Sequence, residues 1–259
     1  MPDHSRNLTI EATASSPWLP FGGRPDAAVR LICLPHAGAG ASVYRAWGAS
    51  LPDGIGACPV QLPGREQRRR EPLLRSAIDV ASQLAPYIIS MVRAPYAIFG
   101  HSTGALCSFE LCREIRRLGG SLPSHLFVAG RRPPQLPVPR STLASLQVGE
   151  LAAVLRRLGG TPEDVLMNPS VLTMIQPMLA ADFTVNEAYT YRAEALLDVP
   201  ITAFAGVSDP DAGPDDMASW RDQTTAPWRM VALDGGHFAI FDNASMVQQQ
   251  IATDLAARS

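Results

Sequence analysis

Tyr96-Ala97-Ile98-Phe99-Gly100-His101-Ser102-Thr103-Gly104-Ala105-Leu106 is the stretch from which the rest of the chain can be read. An apolar run, Tyr96 to Phe99, leads into the pattern G-x-S-x-G at Gly100 to Gly104, and a helical-period segment follows from Ala105. In a strand-to-helix elbow the serine takes a strained backbone conformation that pushes Oγ into solvent. The flanking glycines let strand and helix approach without side-chain clashes. The helix then directs its N-terminal N–H groups and positive dipole end at the reacting centre. Five matching letters mean little by themselves; the apolar run before them and the helical run after them give the match its weight. The competing reading is a glycine-rich turn that happens to hold a serine.

Outward from this elbow, short apolar runs alternate with helical-period segments from Val29 onward, the pattern of a mostly parallel central sheet flanked by helices in an α/β domain. Strands are expected at Arg30 to Leu34, Ala57 to Leu62, Tyr96 to Gly100, His125 to Ala129, Ile201 to Ala205 and Met230 to Leu233. Helices are expected at Ala41 to Leu51, Ser76 to Val92, Thr103 to Leu118, Pro214 to Gln223 and Asn243 to Ala256. The alternation breaks between Arg131 and Ala195. That section runs through Pro133-Pro134, Pro137 and Pro139, then through helical stretches around Leu143 to Leu158 and Pro169 to Tyr189. An inserted helical subdomain at about 133–195 accounts for it. The wide apolar surface of its second stretch suits either plain packing on the domain or a lid over an apolar ligand tunnel. Residues 1–28 read as a mobile polar leader whose apolar knot, Trp18, Leu19 and Phe21, docks on the domain at 29–259.

A serine hydroxyl is a poor nucleophile at neutral pH, so Ser102 requires a base and a group to orient it. The elbow topology puts the acid and then the histidine downstream. Of His4, His36, His101, His125 and His237, only the last two follow Ser102, and His125 lies in an apolar strand as a core histidine. His237 follows Asp234-Gly235-Gly236 just after the last strand, where an imidazole reaches the serine. The acid belongs after Ile201 to Ala205. Asp209 is favoured because it falls first after the turn, with Asp211 as the alternative, while Asp215 and Asp216 suit helix capping near Pro214. The oxyanion needs two donors. These are assigned to the backbone N–H of Thr103 and that of Ala37, in the small-residue loop Leu34-Pro35-His36-Ala37-Gly38-Ala39-Gly40, with His36 as a wall residue.

Composition excludes several other chemistries. The chain has 259 residues, 46% of them hydrophobic and 18% charged, with a net charge of -2, values that fit one globular domain. All 22 basic residues are arginine. Without lysine there is neither a Schiff-base amine nor a Walker-type phosphate loop, and Gly38 and Gly40 do not complete a GxGxxG spacing. The near-neutral balance argues against nucleic-acid binding. Cys33, Cys58, Cys107 and Cys112 form no CxxC pair and read as reduced, buried thiols, so no metal site is expected. The most apolar stretch, Val80 to Gly100, is broken by Gln83, Pro86, Ser90, Arg93 and Pro95, so no membrane span is expected. No apolar signal core follows Arg6, so a cytoplasmic location is expected and the Asn7-Leu8-Thr9 and Asn243-Ala244-Ser245 glycosylation patterns read as chance. Arg65, Arg68, Arg69, Arg70 and Arg75 form the strongest charge cluster, either a solvated face or a docking patch for an acidic or phosphate-bearing partner.

Leu34-Pro35-His36-Ala37-Gly38, Gln61-Leu62-Pro63-Gly64-Arg65-Glu66, Gly100-His101-Ser102, Gly130-Arg131-Arg132, Leu158-Gly159-Gly160, Asp209-Pro210 and Gly235-Gly236-His237-Phe238, in that order, resemble the type II thioesterases of polyketide and nonribosomal peptide assembly lines. The resemblance runs from Val29 to the C-terminus, with one departure: Thr103 stands where the family usually has methionine. It implies an α/β-hydrolase fold with a helical lid at about 133–195. It also implies hydrolysis of acyl groups from the phosphopantetheine arm of acyl or peptidyl carrier domains, by a monomer that needs no cofactor of its own. Arg65, Arg68 and Arg69 are then the candidate carrier-docking residues. Other esterase, lactonase or acyltransferase chemistry on the same scaffold, or a non-catalytic carrier-binding module, are the alternatives.

Overall fold

The computed structural model describes residues 16–22, 26–93, 95–136 and 143–257. Six strands pair in parallel: β1 Val29–Leu34, β2 Ile55–Pro59, β3 Tyr96–His101, β4 Leu126–Ala129, β5 Ile201–Gly206 and β6 Trp228–Leu233, in the order β2-β1-β3-β4-β5-β6. Each inner strand is buried on both sides, so its alternate residues feed two separate cores. Ile32, Leu34, Ile98, Val128 and Ala203 pack under α2 (Ala77–Met91) and α3 (Thr103–Arg117). Leu31, Cys33, Phe99, Phe127 and Phe204 face α1 (Trp47–Ser50) and α9 (Ala244–Ala256) on the other side. This two-sided burial is why the strands read as continuous apolar runs.

The strand order reverses between β1 and β3: the chain goes from β1 outward to β2, then returns to β3 and continues the opposite way. The connections diverge there, leaving a crevice at the carboxyl ends of β1 and β3, the usual ligand position in open α/β sheets. Leu34 ends one strand and Ser102 follows the other. Between β4 and β5 lies the insertion, a 3-10 turn at Leu143–Ser145 followed by α4 (Val148–Leu158), α5 (Glu163–Leu166) and α6 (Pro169–Glu187). Its own small core, including Leu151, Leu155, Leu172, Leu179 and Phe183, packs against Ala37 at the mouth of the crevice. After β5 come α7 (Pro214–Ala218), then β6, α8 (Ala239–Asp242) and α9.

The expected helix Ala41 to Leu51 is instead a 3-10 turn, Ala41–Tyr44, followed by α1. Tyr44 and Trp47, three apart, both turn into the core with ring centroids 5.0 Å apart, and tertiary packing of the two rings overrides a regular helix. Likewise Pro214 to Gln223 divides into α7 and a 3-10 turn at Ser219–Gln223, which lets fully buried Trp220 donate from Nε1 to the Arg131 carbonyl at 2.8 Å. Strand β2 spans Ile55–Pro59, ending three residues before the expected Leu62: Val60 N–H still donates to the Cys33 carbonyl at 2.9 Å, but Gln61 N–H turns away to the Trp18 carbonyl at 2.8 Å. Pro137 and Pro139 of the insertion, and residues 1–15 of the expected leader, lie outside the described residues. Within the leader, Leu19 is fully buried in the first core and the Arg68 guanidinium stacks over Trp18 at 4.1 Å.

Gly104 shows how tightly the elbow is seated on β1. A Cβ there would lie 2.3 Å from the Leu34 carbonyl oxygen and 2.6 Å from that of Pro35, both backbone atoms. Gly104→Ala is therefore expected to destabilise the fold by about 3 kcal/mol or more, as overpacking against immobile backbone does, read as a lowered urea midpoint at unchanged m.

Candidate active site

Ser102 sits between β3 and α3 with φ 55° and ψ −121°. This conformation is rare for a non-glycine residue and marks stored strain. It is fixed from both sides: Ser102 N–H donates to the Ala129 carbonyl at 2.8 Å, and its carbonyl accepts from Ala105 N–H at 2.9 Å. Gly100 completes the elbow, since a Cβ there would come 2.4 Å from the Gly104 carbonyl and 2.6 Å from Ala105 Cα. The G-x-S-x-G spacing is thus a packing requirement of the turn.

His237 reaches the serine from the loop after β6. Its Nε2 is 2.9 Å from Ser102 Oγ and its Nδ1 is 2.9 Å from Asp209 Oδ2. An ionised carboxylate can only accept, so Nδ1 carries the ring proton and Nε2 is left to accept from the serine hydroxyl. Asp209 is fixed by its second oxygen, which accepts N–H bonds from Asp211 (2.9 Å) and Ala212 (3.2 Å). Burial pushes the Asp209 carboxyl up, but the His237 bond and these two backbone donors outweigh it and hold the group below the usual aspartate range. Asp211, the alternative acid, is turned away: its side chain is 44% exposed and faces Arg157.

The Ala37 and Thr103 N–H groups have no protein acceptor among the described residues, and both residues line the same cavity as Ser102. That cavity, about 590 Å³, runs beneath the insertion, where Leu143, Leu155, Val165, Ile175, Leu179 and Phe183 supply an apolar wall. It is a greasy chamber with Ser102 in its lining, a shape suited to an acyl chain. The described residues hold no cluster of metal-ligating side chains, and no helix among them is long and apolar enough to cross a membrane.

Residues 29–256 match the thioesterase domain family model. The chain is 42% identical over 216 residues to linear gramicidin dehydrogenase LgrE of Brevibacillus parabrevis, covering 82% of each, and 36% identical over 240 residues to thioesterase PikA5 of Streptomyces venezuelae, covering 91% of this chain and 84% of PikA5. The type II thioesterase BorB from the borrelidin biosynthetic cluster superposes with a TM-score of 0.85 at 35% identity, over 94% of this chain and 99% of BorB. The chain belongs to the type II thioesterase family. The thioesterase is accordingly a serine hydrolase, and its sheet and flanking helices are the α/β-hydrolase fold.

Two of the arginines expected at a docking face prove to be internal. Arg65, 5% exposed, makes a two-pronged ion pair with Asp182 of α6 at 2.7 and 2.8 Å. Arg68 pairs with Glu71 and donates to the Gln61 carbonyl at 3.0 Å besides covering Trp18. The Gly64 turn, at φ 82°, folds this segment back on the domain, so of the docking trio only Arg69 is exposed, with Arg70 and Arg75 beside it. His125 is a buried strand-end residue bonded to Thr202 Oγ1, and all four cysteines are free and buried.

The sequence reading passed over His101, the x of the elbow motif. Its Nε2–H donates to the His237 carbonyl at 2.8 Å, so a residue adjacent to Ser102 anchors the loop that carries His237. His36 and His101 form an aromatic cluster with Phe238 and Phe241. Burial drives both imidazoles toward the neutral form, His36 down to about 4 and His101 well below its ordinary value, and the neighbouring His237 adds to the effect. Unfolded, each titrates near 6.5 and binds more protons than the folded state below that pH. The stability they permit is therefore full above pH 6.5 and is lost as pH falls toward 4. The urea midpoint is expected to drop between pH 7.5 and pH 5, and His36→Gln to flatten that slope by about 2 kcal/mol.

Proposed function

We propose that the thioesterase releases acyl groups from the phosphopantetheine arm of carrier domains through an acyl-enzyme on Ser102, editing or unblocking a polyketide or nonribosomal peptide synthase. The observation that carries this reading is the continuous contact Ser102–His237–Asp209 opening into an apolar cavity roofed by the insertion. His237 Nε2 takes the Ser102 proton as Oγ attacks the thioester carbonyl, and the oxyanion is received by the Ala37 and Thr103 N–H groups. The imidazolium returns its proton to the departing pantetheine sulfur as the carbon–sulfur bond breaks. Water then enters, gives a proton to Nε2 and attacks the acyl-serine. Collapse of the second tetrahedral species returns that proton to Ser102 Oγ and frees the carboxylic acid. Asp209, kept ionised by its three donors, stabilises the imidazolium in both halves.

In this reading the insertion is a lid over the acyl chamber. The partner is an acyl or peptidyl carrier domain approaching from the lid side, with Arg69 the remaining docking candidate. The enzyme acts as a cytoplasmic monomer and needs no cofactor. The dehydrogenase named in one relative finds no support at the loop after β1. That loop lacks the GxGxxG spacing, and Gly38 N–H is already taken by the Asp182 carboxylate at 2.7 Å, an anion where a pyrophosphate would have to sit.

Incubation with acyl-carrier thioesters is expected to give an acyl adduct at Ser102 by intact-protein and peptide mass spectrometry, with free acid released. Ser102→Ala is expected to lower kcat by about 10⁴-fold or more, and wild-type turnover by that variant would sink the mechanism. Asp209→Asn is expected to cost about 10⁴-fold by setting the wrong tautomer, whereas Asp211→Ala stays within about twofold of wild type. Release from carrier domains is expected to outpace hydrolysis of simple esters, and transfer to an amine or alcohol in place of water would favour an acyltransferase.

A further inference from the structure

The C-terminal half of α6 carries two polar residues the mechanism has not used. Asp182 and Asn186 are four residues apart, so they lie on one face of the helix, directed at the crevice. Asp182 is 3% exposed. Its Oδ2 accepts from Gly38 N–H at 2.7 Å and from Arg65 at 2.7 Å, while Oδ1 accepts from the other Arg65 nitrogen at 2.8 Å. One turn on, Asn186 Nδ2 donates to Thr103 Oγ1 at 2.6 Å, and Asn186 Oδ1 accepts from Arg131 Nε at 3.1 Å.

These contacts fall on the two residues that matter for the oxyanion. Thr103 is one donor itself. Gly38 follows the other, and the peptide linking Ala37 to Gly38 is held at both ends: its N–H by Asp182, its carbonyl by His36 Nδ1–H at 2.9 Å. The Ala37 N–H belongs to the adjoining peptide, whose His36 carbonyl accepts from Ala39 N–H at 3.2 Å, so the planes on both sides of Ala37 Cα are held and the direction of its N–H is fixed between them. A carboxylate beside an oxyanion site would ordinarily repel the developing charge. The two-pronged Arg65 contact cancels it, so the carboxylate orients the loop without opposing the transition state.

We infer that Asp182, neutralised by Arg65, and Asn186 are positioning residues for the oxyanion hole, so that the inserted helix α6 sets the geometry of catalysis as well as roofing the acyl chamber. This rests on the assignment of Ala37 and Thr103 as oxyanion donors. It makes the C-terminal half of α6 a fixed part of the active site, and leaves α4, α5 and the segment before Pro177 as the portion free to open over a substrate.

The test is steady-state hydrolysis of an acyl-N-acetylcysteamine thioester, which needs no carrier docking, by the full chain and by Asp182→Asn, Arg65→Gln, the double variant and Thr103→Val. Circular dichroism and thermal melts establish the folded fraction. Asp182→Asn is expected to lower kcat about 10- to 100-fold per folded enzyme with KM within about twofold, a fraction of what deleting an oxyanion donor costs. Arg65→Gln is expected to fall further because it leaves the Asp182 charge uncompensated, and adding Asp182→Asn to it is expected to recover part of the lost kcat. If Asp182→Asn fails to fold, Thr103→Val reads the same proposition at the Asn186 side, with an expected drop in kcat of about threefold or more at unchanged KM. Wild-type kcat in the folded variants, beside an inactive Ser102→Ala, would overturn the inference. A fully active Ser102→Ala would instead remove the reading on which it rests.

Discussion

A serine at φ 55° is a costly conformation, on the order of 1–3 kcal/mol, and it persists only where the surroundings over-determine it. Here three elements do so. Strand β3 delivers Ser102 and β4 takes its N–H through Ala129. Helix α3 packs so close to β1 that Gly104 leaves no room for a side chain against Leu34. The rest of the site follows from this constraint. Because the elbow stands at the sheet's switch point, the loop after β1 falls beside it and brings Ala37 within the same cavity. The loops after β5 and β6, further along the same carboxyl edge, bring Asp209 and His237.

The electrostatics of the site are arranged around a single mobile proton. Three imidazoles lie close together, yet half-buried His36 and buried His101 are driven toward the neutral form and serve as hydrogen-bond donors to backbone carbonyls, at Ala37 and His237 respectively. Only His237 touches both a serine and a carboxylate. Asp209 is ionised and satisfied, and the nearby Asp182 charge is cancelled by Arg65. Among the described residues, His237 is the one imidazole hydrogen-bonded to Ser102 Oγ. Each buried ionic group is held by hydrogen bonds on its remaining oxygens, which is what allows it to remain charged away from water.

Much of this was legible from local pattern. The inner strands are two-sided and apolar, so their positions emerge within a residue or two, while edge strand β2 lies two to three residues earlier than its apolar run suggests. The G-x-S-x-G letters, the small-residue loop at Ala37 and the histidine after Gly235-Gly236 each reflect a local backbone need. Asp209 was preferable to Asp211 on order alone, and the structure shows the difference physically: Asp209 takes two backbone N–H bonds and faces His237, while Asp211 points to Arg157. The arginine cluster misled because consecutive charges in a row carry no mark of which are exposed. Arg65 and Arg68 are buried only because Asp182, more than a hundred residues away, and Trp18 come to meet them. Asp182, the one charged residue between Pro169 and Asn186 of α6, was the available hint of a buried partner.

The sequence by itself determined most element types, the elbow at Ser102, the order in which Asp209 and His237 follow it, and the absence of lysine, because these depend on residue identity, short-range periodicity and chain order. Tertiary structure alone decided what depends on distant segments meeting. It alone brought α6 into contact with Gly38 and Thr103, placed His101 against the His237 carbonyl, and turned two arginines that read as part of a surface patch into internal ties. Hydrogen-bond partners separated by many tens of residues leave no periodic signature, since the chain between them can be of any length or composition so long as the fold brings their ends together.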